Sequence, residues 1–175
     1  MKKLTIFFGV ALICSALAAG VSARTRAAHP APLAQDNETF THKEAGVQFQ
    51  LPKGWKAKPE GEVITVSSPD DALQVIFWVP DEESFDATVK DLDKELAKTI
   101  KNIKTTGKPT QDTHNGMAHY GETGTGEVEG ATIAWSVDVL AAKKPLIILT
   151  FAAPNLFEKH ADDYAKLVSS IKKIE

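Results

Sequence analysis

Four side chains with metal-ligand or proton-transfer chemistry lie close together between residues 111 and 120: Asp112, His114, Met117 and His119. They flank Asn115-Gly116, a pair that favours a two-residue hairpin turn because both central positions take positive φ. A turn of that length pairs His114 with Met117 and Asp112 with His119, and strand alternation then sets all four on one face. Two imidazoles, a carboxylate and a thioether within mutual reach could hold zinc or copper. The plainer reading is the solvent-facing side of a hairpin, where polar residues belong. It is preferred because no second cluster completes a metal site.

Other constellations are weaker. Gly121, Gly124, Gly126 and Gly130 punctuate GETGTGEVEG, but a phosphate cradle needs converging amides and positive charge or a helix N-terminus. Here Glu122, Glu127 and Glu129 would repel phosphate and a strand follows, so the stretch reads as a flexible connection. The glutamate spacing fits no EF-hand calcium loop. Lys90, Lys94, Lys98 and Lys101 are expected along one flank of a helix, with Asp86, Asp91 and Asp93 interleaved, a mixture typical of a solvated face. His42 belongs to an edge-like strand, and His160 to the apolar stripe of the closing helix, as a packing residue. The chain has no Gly-x-Ser-x-Gly elbow and no His-Glu-x-x-His pair, which lowers the expectation of an enzyme. No residue is assigned a catalytic role.

The elements that must position these groups alternate in period two and period 3.6. Phe40–His42 and Val47–Leu51 read as a half-buried hairpin across the Glu44-Ala45-Gly46 turn. Pro52-Lys53-Gly54 ends it, and Trp55 anchors the chain back on the sheet. Val63–Ser67 and Ala72–Val79 are the next strands. The second of these and Leu146–Ala152 are apolar on both faces, as strands covered on both sides are. From Ser84 to Ile103 the residues Phe85, Val89, Leu92, Leu96, Ile100 and Ile103 form one helical stripe, with Ser84 as N-cap. Ala131–Leu140 is a strand. A last helix is expected after Pro154, capped by Asn155 and carrying Phe157, His160, Tyr164, Leu167, Val168, Ile171 and Ile174. Strands, helix, strands, helix is the order of an α+β fold, an antiparallel sheet with helices on its faces.

The N-terminus bounds the setting. Met1-Lys2-Lys3 is a basic start, Leu4–Ala19 is uncharged and apolar, and Val21-Ser22-Ala23 matches a signal-peptidase site. Residues 1–23 are therefore expected to be a cleavable signal peptide, residues 24–38 a flexible Ala/Pro-rich leader, and residues 39–175 one α+β domain. The apolar run is short for a spanning helix, so no stable membrane insertion is expected after cleavage. Cys14, the only cysteine, follows Ala11-Leu12-Ile13 within the run, where lipidation is not expected. Cleavage would leave a chain without disulfide or thiol nucleophile. The formal net charge is −3 for the whole chain, and loss of Lys2 and Lys3 makes it more acidic. An acidic surface argues against nucleic acid as a partner.

Gly46–Trp55 (GVQFQLPKGW), the mid-chain helix, the later strands and a closing helix ending in Ser169-Ser170-Ile171-Lys172 resemble the PsbP-like fold from about Phe40 onward. The local motif, Leu-Pro-x-Gly-Trp, is structural and transfers no binding residue. The resemblance implies an α/β/α sandwich acting as an accessory or binding module, an inference from fold alone. The leading expectation is a non-enzymatic domain, periplasmic or secreted, without cofactor, that recognises an envelope protein or a small ligand. A metal-handling protein using Asp112, His114 and His119 is the alternative. A hydrolase with an assembled site ranks third and would need a deep cavity holding two ionisable groups with shifted pKa values.

Overall fold

The computed structural model describes residues 38–174, and the expected signal peptide and nearly all of the leader lie outside the described residues. Two antiparallel sheets form the body. The large one runs β3(Lys56–Glu60)–β4(Val63–Ser67)–β5(Leu73–Trp78)–β10(Pro145–Ala152)–β9(Ala131–Ala141)–β8(Met117–Val128)–β6(Lys101–Thr105), with β7(Thr110–His114) also paired to β8. The small one is β1(Thr39–His42)–β2(Val47–Gln50)–β11(Lys172–Lys173). The helices are α1(Phe85–Leu96) and α2(Ala161–Ser169).

One core joins the small sheet and α2 to one face of the large sheet: Phe49 of β2 stacks on Phe77 of β5 at 4.5 Å, and Leu167 and Ile171 pack with Met117, Leu140 and Ile148. Strand alternation turns Trp135, Val137 and Val139 to the opposite face, where α1 packs against β9 and buries Leu92 and Leu96. β10, covered on both faces, is buried along its whole length. The α+β class and the helices on the sheet faces are as expected from the sequence, with the small sheet sharing one face with α2.

Four local readings change. α1 stops at Leu96, after which the chain unwinds through Thr99 N–H and Ile100 N–H, both bonded to Leu96 C=O. Ile103 lies in β6, so its helical spacing from Ile100 was accidental: Ile100 keeps dipping into the same core after the helix ends, at 1% exposure. Lys101 is thereby in β6, off the helix flank. The closing helix begins at Ala161 behind a 3-10 turn at Glu158–His160, and no Asn155 cap forms it; the chain ends in β11, leaving Ile174 exposed. β3, polar and containing Pro59, had no apolar alternation to mark it.

The largest change concerns the glycines. Gly121, Gly124 and Gly126 lie inside β8, a strand paired along its length with β9. A Cβ on Gly124 would meet the Trp135 ring at 2.4 Å and Lys104 C=O at 2.3 Å, and one on Gly126 would meet Ile100 at 2.3 Å. The glycines are places where an indole and an aliphatic side chain lie flat on the strand, the cross-strand aromatic cover that compensates a strand glycine. The actual turn is Glu129-Gly130, with φ of 52° and 84°. Among the described residues no helix is long and apolar enough to cross a membrane.

Candidate functional site

The hairpin register is as the Asn115-Gly116 pair implies: His114 opposes Met117 and Asp112 opposes His119, with turn φ values of 46° and 78°. The four side chains share a face, but that face is the one under α2. Met117 is fully buried in the core there and is no ligand. Asn115 Nδ2 donates to Ser169 C=O at 3.0 Å and Ile171 C=O at 2.7 Å, satisfying carbonyls that the end of α2 leaves open. The hairpin is thus docked onto the C-terminus of α2 by its turn and its methionine.

His119 sits between two carboxylates. Its Nδ1 lies 2.6 Å from Asp112 Oδ1 and its Nε2 2.8 Å from Asp138 Oδ1. Since both partners accept, the ring is suited to carry a proton on each nitrogen. The hydrogen bond to Asp138 raises its pKa, burial opposes this, and Asp112 adds to it. Gly121 makes the position possible: a Cβ there would press on the ring at 3.1 Å and on Asp138 Oδ1 at 3.3 Å. His114 stays nearby, its ring centroid 6.3 Å from that of His119. With both His119 nitrogens engaged by carboxylates, Asp112, His114 and His119 do not converge on a common point, and among the described residues no group of three or more His, Cys, Asp or Glu is placed to hold a metal ion.

Asp138 leads inward to groups that the sequence reading passed over. Tyr164 of α2 accepts from Thr150 Oγ1 at 3.1 Å, pairs with Ser136 Oγ at 3.1 Å and points its hydroxyl at Asp138 Oδ2, 3.5 Å away. Burial, with the Asp138 charge second, pushes its pKa up to about 12, so the phenol stays neutral and cannot serve as a base. A signal was present: Ser136 and Asp138 are polar residues in the middle of β9 on the α2 side, and Thr150 is the polar residue inside an otherwise apolar strand. The chain Asp112–His119–Asp138–Tyr164 crosses β7, β8, β9 and α2 and ties them together.

A second histidine–carboxylate group lies under Trp55. Asp70 Oδ1 accepts from Ser68 Oγ at 2.7 Å and Asp70 Oδ2 from Lys159 Nζ at 2.5 Å. His160 Nε2 is 2.9 Å from Asp70 Oδ1, a close contact without hydrogen-bond alignment. Lys159, then Ser68, holds the Asp70 carboxyl well below the usual range. The residue types are those of a nucleophilic triad, but the carboxylate stands in the middle. Ser68 is fully buried and its Oγ also accepts from Leu73 N–H, so no nucleophile is activated. Trp55 meets the His160 ring edge-on at 5.9 Å, the packing roles expected of both. His42, on the edge strand β1, is buried: Nδ1 accepts from Ala45 N–H and Nε2 donates to Glu62 C=O. Lys94 of α1 pairs with Asp91, and Lys98, in the turn just after the helix, pairs with Glu95 of α1.

A groove of about 500 Å³ runs between α1 and β7, lined by Phe85, Val89, Gln111, Thr113 and Ala118 together with Asp86, Lys90, Asp112 and His119. It is bordered by exposed side chains.

No protein-family model matches the chain, and no curated protein matches it by sequence. Solved structures do. A cyanobacterial PsbP (CyanoP) from Synechocystis aligns with a TM-score of 0.57 at 10% identity, covering 84% of this chain and 98% of that one. LpqN of Mycobacterium tuberculosis, described as involved in cell envelope biogenesis, aligns with a TM-score of 0.55 at 10% identity over 79% and 86% of the two chains. The fold is PsbP-like. A structure from Bacteroides thetaiotaomicron shares it over 81% of this chain and 50% of its own, at a TM-score of 0.55. At such identities the PsbP-like fold is what is shared, and no site residue passes from one chain to another.

Proposed function

We propose that this chain is an exported accessory or binding domain of the cell envelope that catalyses no reaction of its own. The observation that carries this reading is the internal pairing of its ionisable clusters. The imidazole of His119, the Asp70 carboxylate and the Tyr164 hydroxyl all face protein partners, and each cluster ties a helical segment to the sheets. A catalytic site instead keeps a reactive atom open to substrate. The PsbP-like fold supports the reading, since its matched structures include a protein involved in cell envelope biogenesis. The basic start, apolar run and Val21-Ser22-Ala23 site of the sequence support export.

The test is to express the full chain with a C-terminal tag in a diderm bacterium, fractionate the cells, and measure intact mass and cross-linked neighbours. An envelope-fraction product beginning at Arg24, cross-linked to one protein near stoichiometry, is the expected result. An uncleaved chain in the cytoplasm would refute the export reading, and turnover of an acyl or phosphoryl ester by the purified product would refute the non-enzymatic one.

A further inference from the structure

The turn of the β7–β8 hairpin carries a reactive dipeptide. An asparagine side chain is open to attack by the backbone nitrogen of the residue that follows it. Glycine in that following place puts no Cβ in the way. Asn115 and Gly116 are both exposed, and a Cβ built on Gly116 would meet nothing within 4 Å. His114–Met117 closes the hairpin, so the N–H of Gly116 lies outside the ladder, and among the described residues it makes no hydrogen bond. The other described asparagines, Asn102 and Asn155, precede Ile103 and Leu156, whose side chains crowd the same approach.

The same carboxamide is a fastening. Asn115 Nδ2 gives its two hydrogens to Ser169 C=O at 3.0 Å and Ile171 C=O at 2.7 Å. Ser169 ends α2, where the helix dipole is negative and a donor is favoured over a charge of the same sign. The segment that follows is held on its other side by the small sheet. Gln50 N–H donates to Ser170 Oγ at 2.8 Å, Lys172 and Lys173 pair with β2, and Ile174 N–H donates to Gly46 C=O at 3.0 Å. Residues 170–174 are thus clasped between β2 and the hairpin turn, and the hairpin side of the clasp runs through one side-chain amide.

We propose that Asn115-Gly116 is a deamidation site whose conversion unfastens the closing segment from the hairpin. Gly116 N loses its proton to solvent base and bonds to Asn115 Cγ. The Cγ–Nδ2 bond breaks, its electron pair stays on nitrogen, and the nitrogen takes a proton from water and leaves as ammonia. Water then opens the cyclic imide at either carbonyl, giving aspartate or isoaspartate. The sum is amide plus water to carboxylic acid plus ammonia, with no redox partner. An ionised aspartate has no hydrogen to donate and sets its charge against two carbonyl oxygens at a helix C-terminus. Isoaspartate adds a methylene to the main chain, which a two-residue turn in this register does not accommodate. While docked, the carboxamide is fixed by its two carbonyls, so attack waits for the hairpin to lift, and conversion then keeps it lifted. The release is one-way and accumulates with the age of the molecule, whatever partner the domain serves.

The experiment holds the purified full chain at mildly alkaline pH beside the peptide Ac-Thr-His-Asn-Gly-Met-Ala-NH2 and follows both by peptide-mapping mass spectrometry over days. Position 115 should gain one mass unit, as a mixture of aspartate and isoaspartate, while Asn102 and Asn155 stay intact. Its rate should be roughly tenfold below that of the peptide, because docking must open first. Amide exchange across residues 170–174 should quicken roughly tenfold in the converted chain, and in Asn115→Asp from the outset, while β9 and β10 keep theirs. Ser170→Ala removes the acceptor of Gln50 N–H, loosens the segment without touching the turn, and should speed conversion about threefold. The proposal is overturned by a residue 115 that stays intact while the peptide converts fully, or by conversion at the peptide's own rate. It is equally overturned by Asn115→Asp with wild-type exchange across residues 170–174, or by a rate that Ser170→Ala leaves unmoved.

Discussion

His42 and His119 are both held by two partners, yet the partners differ in kind and so does the state they select. His42 lies between a donor and an acceptor of the backbone, Ala45 N–H and Glu62 C=O. That pairing needs one bare and one protonated nitrogen, a neutral ring, and burial lowers its pKa from the ordinary 6.5. His119 lies between two acceptors, needs two protonated nitrogens, and is raised from the same 6.5. Burial sets the state of His42 against the pull of its backbone partners, whereas the Asp138 carboxylate sets that of His119 against burial. The linkage signs are accordingly opposite. Stability from His42 is full above 6.5 and is lost as pH falls through its lowered folded value. Stability from His119 is full below 6.5 and is lost as pH rises through its raised folded value.

The comparison breaks most visibly at His42. His42→Ala removes the ring shared by Ala45 N–H and Glu62 C=O and opens space beside the small sheet, so about 2–3 kcal/mol of unfolding free energy should be lost, measured by urea titration at pH 7.5. A loss below about 0.5 kcal/mol would show that the ring is replaceable by water and that its backbone bonds do not hold β1.

Asp138→Asn should come next, at about 1–2 kcal/mol at pH 6, because it keeps the shape but withdraws the better buried of the two charges facing His119. Its diagnostic readout is the imidazole titration by NMR. The His119 midpoint should drop toward 6.5 while that of His42 stays where it is. An unmoved His119 midpoint would mean that Asp138 serves Tyr164 and α2 only.

Asp138 also marks where the sequence ceases to be readable. The hairpin register, the buried central strands and the Ser84 cap, which accepts from Ala87 N–H at 3.2 Å, all follow from neighbours within a few residues. Asp112 opposite His119 was legible for that reason. Asp138 and Tyr164 are brought to His119 from 19 and 45 positions away by sheet order and helix docking, which local pattern does not encode. The Gly121–Gly126 run looked like a connection because the Trp135 ring that covers Gly124 comes from the next strand. Met117, a plausible ligand by type and spacing, became core because α2 returns over that face. Which face of the hairpin is covered depended on where the closing helix came to lie, and local pattern does not place it.

The smallest effect separates the two carboxylates of His119. Asp112 is 56% exposed where Asp138 is 19% exposed, so solvent screens the first contact far more than the second. Asp112→Asn should therefore cost only about 0.5 kcal/mol at pH 6, in the range of an exposed ion pair. That cost should shrink further as pH rises through the folded pKa of His119, because a neutral ring has one proton to donate and Asp138, being deeper, keeps it. Stability of wild type and variant followed by thermal melts from pH 5.5 to 9 should thus converge at the alkaline end. Curves that stay parallel would mean that Asp112 acts through the turn and β7 backbone, with the charge of His119 playing no part. Curves that diverge would place the retained proton on the Asp112 side and reverse the assignment of the inner and outer carboxylate.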